Sequence, residues 1–512
     1  MSPAQAATAA IFSQRCSGVL LHLTSLPGPH GSGDLGAEAY HFVDWLVSAG
    51  QRLWQILPLS PVGPGNSPYH SPSTFAGNPL LVDLDELVKN GWLSAQEPPV
   101  FEVGRCDFER VAPYRLQRLR EAWQGFLEHT QASDWTEFER FRLQQAHWLE
   151  GYAFFMALET HHGKPWTQWP TGLAQADLAA LAAVGESMAD ELGFFSFIQW
   201  RFMVQWQRLR DYAHARGIAI VGDAPIFVAH HSADVWLNTD LFLLDPLGEA
   251  TVVAGVPPDY FSVTGQRWGN PLYRWDVMAE QGFAWWKDRL SHLLELVDVI
   301  RLDHFRGFES YWEIPATEPT AVAGCWRQGP GQALFDALAQ ARLQQGASGL
   351  LPIIAEDLGI ITQAVTDLRQ NCGFPGMRVM QFAFGDTPAN PYLPHNFDVQ
   401  TVAYTGTHDN DTTLGWWQTA GAGQRHVARA YLGPLADFEI HWAMMQSLSQ
   451  SKANTVIFPL QDVLGLDGLH RMNTPGVAQG CWQWRFAWRQ VGDTPARRLK
   501  DMAHAHGRNL LR

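Results

Sequence analysis

The strongest constraint on the fold is a series of short apolar runs, most of them ending in polar or glycine-rich residues. They occupy residues 18–26, 51–59, 218–228, 296–307, 349–359, 376–382, 402–411 and 455–462. Unbroken Val, Ile and Leu read as parallel strands buried on both faces. Parallel strands need long crossovers, and helical spacing of apolar residues over 36–49 and 195–216 supplies two of them. Eight strands with mostly helical crossovers predict an α/β chain folded as a closed (β/α)8 TIM barrel. An open doubly wound sheet is the alternative. No GxGxxG follows the first strand, so nothing supports a dinucleotide-binding version.

One catalytic domain is expected over 1–512, with two insertions. After the second strand, residues 65–195 read as a helical insertion subdomain, with helices over 115–129, 135–159 and 173–183. Its first part, 66–79, is rich in Gly, Pro, Ser and Asn and holds Tyr69; it follows a strand C-terminus, where barrels keep binding loops. After the third strand, 229–295 reads as a smaller insertion. Within it, 253–273 is broken by Gly and Pro and carries Tyr260, Phe261 and Trp268, the pattern of an aromatic lid loop.

Composition excludes several classes. With 46% hydrophobic and 17% charged residues the chain builds an ample core. A net charge of -15 argues against nucleic acid and anionic membranes as partners. Five scattered cysteines without a CxxC pair predict neither a disulfide framework nor a zinc site. The first 13 residues lack the pattern of a signal peptide, and no run reaches the ~18 apolar residues of a membrane span. A cytoplasmic location is the expectation.

Candidate chemistry sits at the strand ends. In 296–307, Arg301 and Asp303 are two apart, so they share one side of the strand. A carboxylate beside a fixed guanidinium stays ionised and is placed to act as a nucleophile. A structural ion pair would look the same. Glu356 and Asp357 end the fifth strand, and as neighbours only one of them faces the site. His408, Asp409 and Asp411 end the seventh, and Asp223 the third. In a barrel these tips converge, so Asp303, Glu356 and Asp409 meet. Two carboxyl groups ~5–5.5 Å apart suit retaining glycoside chemistry, and adjacent parallel strands lie ~4.8 Å apart. A third can favour a cationic transition state. His408, Asp409 and Asp411 could instead bind a divalent ion; Arg301 and Arg306 weigh against that by adding positive charge.

The stretches RLDHFRG, IAEDLG and TGTHDND, with GVLLHLTSLPGPHGSGDLG, NSPYHSPSTFAGNP and GDAPIFV, resemble the amylomaltases, bacterial 4-α-glucanotransferases of the α-amylase clan. The resemblance runs from Gly18 to the QWRF stretch and is weakest in the helical insertion. It implies that Asp303 is the nucleophile, Glu356 the acid/base and Asp409 the transition-state stabiliser. It implies substrate contacts from Tyr69, Asp223, Arg301, His408, Asn473 and Pro475, and a lid with Tyr260, Phe261 and Trp268. It implies no metal and no cofactor, and as partners α-1,4-glucans and malto-oligosaccharides, with glucose as acceptor or product. Pro64, His70, Ala224 and Phe108 depart from the family pattern; Pro64 bears on a secondary glucan site, and Phe108 keeps a ring that could stack but lacks the hydroxyl relatives often have.

The activity expected is transfer of α-1,4-glucan segments to an acceptor 4-hydroxyl through a covalent glycosyl-enzyme. A hydrolase using the same carboxylates is the first alternative, and a carbohydrate-binding protein without catalysis the second.

Overall fold

The structure is a computed structural model describing residues 14–258, 262–385 and 387–509. Its strands, in chain order, are β1 (Cys16–Leu20), β2 (Leu53–Gln55), β3 (Ala219–Pro225), β4 (Val252–Val256), β5 (Gln266–Pro271), β6 (Val299–Asp303), β7 (Ser310–Pro315), β8 (Cys325–Gln328), β9 (Ile353–Ala355), β10 (Gly376–Val379), β11 (Thr401–Tyr404) and β12 (Thr455–Pro459). Eight of them close a barrel in the order β1-β12-β11-β10-β9-β6-β3-β2, and every pairing in it is parallel. This is the (β/α)8 barrel expected from the eight apolar runs.

The strands are shorter than those runs. Pairing stops where the polar tips begin, and the chain then turns through short helices, Phe305–Phe308 after β6, Met380–Phe382 after β10 and Leu460–Val463 after β12. The apolar parts are buried throughout, as in β1 and β12, so burial on both faces fixes each strand. Crossover helices bury one face; Ala37–Ser48 buries Ala39, Phe42, Val43, Trp45 and Leu46, the spacing of an amphipathic helix. Asp298 locks the approach to β6. Its carboxylate accepts from Ile220 N (2.7 Å) and pairs with Arg210 (2.9 Å) and His214 (2.9 Å) on the long helix Ala189–Ala215.

Between β2 and β3 the chain is helical, and its aromatic stripes form core: Trp92, Trp123, Phe126, Phe138 and Trp200 pack against one another, mostly edge-on or tilted, with Trp123 and Phe126 stacked. The expected single helix over 135–159 is two, Ala132–Gln144 and Ala146–His162. The break falls at Gln145, whose side chain accepts from Trp148 Nε1 at 2.7 Å. Phe108 is buried at the start of a helix, so its ring is closed to a ligand.

A second correction concerns 253–273, expected as an irregular loop. β4 and β5 run antiparallel there, and with β7 and β8 they make a four-stranded sheet, β5-β4-β7-β8. The partner β7 comes from beyond β6, so no local pattern announced it. Asp259, Tyr260 and Phe261, between β4 and β5, lie outside the described residues. Among the described residues no helix is long and apolar enough to cross a membrane.

Gly18 lies in β1 opposite Leu53. A Cβ there would stand 2.5 Å from both the Leu53 Cβ and its carbonyl oxygen. Backbone in a closed barrel cannot retreat, and overpacking costs ~1–3 kcal/mol. Gly18→Ala should therefore lower the thermal midpoint and the urea midpoint together; an unchanged midpoint in both would contradict this account of the β1–β2 contact.

Candidate active site

Asp303 is the last residue of β6, and Glu356 follows the neighbouring strand β9. Leu302 pairs with Ala355, and Glu356 N donates to Leu302 O at 3.0 Å. The two residues therefore stand on adjacent strand tips, whose backbones run ~4.8 Å apart. Asp409 follows β11, one strand beyond β10 in the barrel wall.

Arg301 organises the near side. Buried at 3% exposure, it gives Nη1 to both oxygens of Asp223, at 2.8 Å each, and Nη2 to Asp303 at 2.9 Å. Burial alone would disfavour its charge, but Asp223, then Asp303, Tyr69 and Glu356 raise its pKa well above the ordinary guanidinium value. Burial likewise raises Asp223, with Arg301 working against it. The expected same-side pairing of Arg301 and Asp303 is present.

Tyr69 extends this cluster. Its hydroxyl donates to Asp223 Oδ2 at 3.0 Å and lies 2.9 Å from His408 Nε2. A phenol has one proton to give, so His408 Nε2–H is the donor in the second contact. The same nitrogen stands 3.3 Å from Asp409 Oδ1. Asn473 Nδ2 donates to that oxygen at 2.7 Å, and Asn473 N donates to His408 O at 3.1 Å. Asp409, His408, Tyr69, Asp223, Arg301 and Asp303 thus form one connected chain. Asp409 is the more exposed of its two terminal carboxylates, with 41% of its side chain open against 29% for Asp303.

Glu356 is held differently. Oε2 accepts from His304 N at 2.8 Å and Oε1 from Leu358 N at 2.9 Å. Burial, then the charge of Asp303, pushes its pKa up to about 7; Arg301 and the two amides act in the opposite direction. Its neighbour Asp357 points away into Arg369 and Arg378. Alternation along the strand separates the pair as expected.

Other expected residues fall unevenly. Trp268 on β5 sets its ring edge-on to His304, centroids 4.8 Å apart. Phe261 lies outside the described residues. Pro475 is exposed on the loop beyond Asn473. Arg306 is a correction: it turns away from the carboxylates, lies 3.9 Å over the Trp326 ring and donates to Ile360 O. The turn Phe305–Phe308 breaks strand alternation and redirects it. Asp411 also turns aside, toward Thr412 N and the backbone of Gly468. Among the described residues no three His, Cys, Asp or Glu side chains converge in a metal-ligating group.

Three residues at the site went unassigned from sequence. His304 has left-handed backbone, φ 52°, which aims its amide at Glu356. Trp482, also left-handed at φ 67°, forms an aromatic wall with Tyr69 and His408 at centroid distances of 5.6 and 5.8 Å. Phe382, 39% exposed, follows β10, between the strands that carry Glu356 and Asp409. An aromatic directly after a barrel strand was the available signal for Phe382; nothing periodic marks the other two.

A closed barrel with three carboxyl groups and aromatic walls at its strand ends is the arrangement of a carbohydrate-active enzyme class, and the comparisons with known proteins agree. The 4-α-glucanotransferase family model matches residues 21–490. The chain is 48% identical to the 4-α-glucanotransferase of Thermus thermophilus, over 96% of this chain and 98% of that one. It is 45% identical to the 4-α-glucanotransferase of Synechocystis sp., over 98% and 99%. The solved amylomaltase from Streptococcus agalactiae in complex with acarbose superposes with a TM-score of 0.91 at 37% identity, over 97% of this chain and 100% of that one. The chain belongs to the 4-α-glucanotransferase family.

The raised Glu356 carboxyl has a thermodynamic consequence. Its pKa is about 7 folded and ~4.3 unfolded, so the folded state binds the extra proton between those values. That contribution is complete below the unfolded value and lost as pH rises through about 7. Glu356→Gln cannot titrate. Its melting temperature relative to the parent should therefore climb between pH ~4.5 and ~7 and then level off; a difference independent of pH would contradict the assignment.

Proposed function

We propose that this 4-α-glucanotransferase works through a covalent glycosyl-enzyme, with Asp303 as nucleophile, Glu356 as acid/base and Asp409 as stabiliser of the cationic transition state. The observation that carries the reading is the separation of two adjacent carboxyl groups. Arg301 holds Asp303 at 2.9 Å and fixes that carboxylate at the tip of β6. Glu356, without a cation of its own, is raised to about 7 and is largely protonated below that pH. A carboxyl that burial keeps protonated, beside one held by a guanidinium, supplies one acid and one nucleophile.

In the first step Glu356 gives its proton to the glycosidic oxygen as the C1–O bond breaks, and Asp303 Oδ bonds to C1. The leaving glucan departs with a free 4-hydroxyl. In the second, an acceptor 4-hydroxyl attacks C1, Glu356 takes its proton, and the bond to Asp303 breaks. Two inversions restore the original configuration. Asp409, fixed by Asn473 and His408, faces the sugar whose ring carries positive charge. Asp223, Arg301, His408 and Tyr69 hold hydroxyls of the same sugar, with Tyr69 and Trp482 as its aromatic wall. Asn473 and Pro475 line the glucan path beyond.

Transfer needs an acceptor held in line with water excluded; oriented binding supplies effective molarities of ~10⁵ M or more. Trp268 closes the acceptor side in this reading. The family membership favours transfer over hydrolysis. α-1,4-Glucans and malto-oligosaccharides are the donors, glucose an acceptor and product, and maltodextrin or glycogen metabolism in the cytoplasm the setting. The acarbose bound by the Streptococcus agalactiae relative fits a site for α-glucan-like rings.

With maltotriose as sole substrate, the enzyme should release glucose while total reducing ends stay constant. Reducing ends that rise in step with glucose would make it a hydrolase. Asp303→Asn, which keeps the shape but removes the charge, should lower turnover by ~10⁴-fold or more while the circular dichroism spectrum of the folded barrel is retained; substantial transfer by this variant would reject Asp303 as nucleophile.

A further inference from the structure

β8 is an edge strand, exposed along its length. Edge strands normally carry charge or small residues outward, yet this one presents Trp326 with 41% of its surface open. That fraction remains although the Arg306 guanidinium lies 3.9 Å over one face of the ring and Trp312 closes edge-on at 5.1 Å. The arrangement is built. Trp312 pairs directly with Trp326 across β7 and β8, and its Nε1 donates to Ala321 O at 2.9 Å. Gly324 makes room for it, since a Cβ there would fall 2.2 Å from Trp312 Nε1. Arg306 is itself buried beneath Trp326.

The platform is continuous with the active site by two routes. Arg306 stands three residues after Asp303 and donates to the carbonyl of Ile360, four residues after Glu356. It thereby ties the indole to both catalytic strand ends, and Ile360 is 67% exposed beside the tie. The sheet β5-β4-β7-β8 is the second route. At one edge β5 carries Trp268 against His304; at the other β8 carries Trp326 against Arg306. Three strand spacings, ~14 Å at ~4.8 Å each, separate those edges.

We propose that Trp326 is a distal glucan-binding platform, on which a long α-1,4-glucan extending from the acceptor side of the active site lays the apolar face of a sugar ring. The inference rests on the glucanotransferase reading above. One indole with an isoleucine at its margin is far smaller than the ~800 Å² per partner of a stable protein interface. A flat aromatic plane matched to a sugar face is sufficient for one ring of a chain already anchored elsewhere. Amylose carries many more rings than the catalytic cluster holds, whereas maltotriose has only its three to place there.

The test compares kcat/KM for long-chain amylose with kcat/KM for maltotriose in the full-length enzyme. In Trp326→Ala the amylose-to-maltotriose ratio should fall about tenfold, equivalent to about 1.4 kcal/mol. Trp326→Tyr keeps a ring over Arg306 and should retain most of the ratio; it also carries the test if the alanine variant folds poorly. If Trp326 serves only to cover Arg306, both substrates lose activity equally and the ratio stays at the parent value, which overturns the proposal. A parent enzyme that fails to disproportionate maltotriose overturns the glucanotransferase reading instead, so the two failures are distinct.

Discussion

One buried cation holds the catalytic face together. Arg301 sits at 3% exposure between Asp223 and Asp303 and contacts both. Removing a charge from water is costly unless it is paired and hydrogen-bonded, and the tips of β3 and β6 supply that pairing because the strands are adjacent and in register, Asp223 opposite Arg301. The barrel's closure is therefore a condition of the site's charge state. A shift in this register would strand the guanidinium and leave two carboxylates to repel each other.

From this pair the site extends in two directions with different chemistry. Toward Asp409, hydrogen bonds run through Tyr69 and His408 and link groups from β3, the loop after β2 and the loop after β11. Toward Glu356 the coupling is electrostatic. Two backbone amides fix that carboxyl's position, while burial and the Asp303 charge lift its pKa to about 7. The amide of His304 comes from a left-handed residue, a backbone state costing ~1–3 kcal/mol for such a side chain. Strain at the turn immediately after Asp303 thus orients the Glu356 carboxyl beside it.

Much of this was legible in the sequence, for identifiable reasons. Period-two alternation places Arg301 with Asp303 and separates Glu356 from Asp357, and both follow from strand geometry alone. The convergence of Asp303, Glu356 and Asp409 follows once eight parallel strands close. What escaped depends on non-periodic backbone or distant pairing. Arg306 was expected near the carboxylates, but the short helix Phe305–Phe308 ends the alternation and sends it to Trp326. β4 and β5 hid in a Gly- and Pro-broken stretch because β4's other partner, β7, arrives some 60 residues later. His304 and Trp482 owe their places to positive φ, which no side-chain pattern encodes. Residues 65–195 offered aromatic stripes that packing consumes as core.

The central claim is that the Arg301-paired carboxylate, and no other, bonds to sugar. A glycosyl fluoride donor whose departure needs no acid would react with Glu356→Gln, in which the return step is slow, and the covalent adduct could be located by peptide mass spectrometry. The account predicts a single glycosyl mass increment on the peptide bearing Asp303. An increment on the peptide bearing Asp409, or release of fluoride with no covalent adduct at any time, would contradict it.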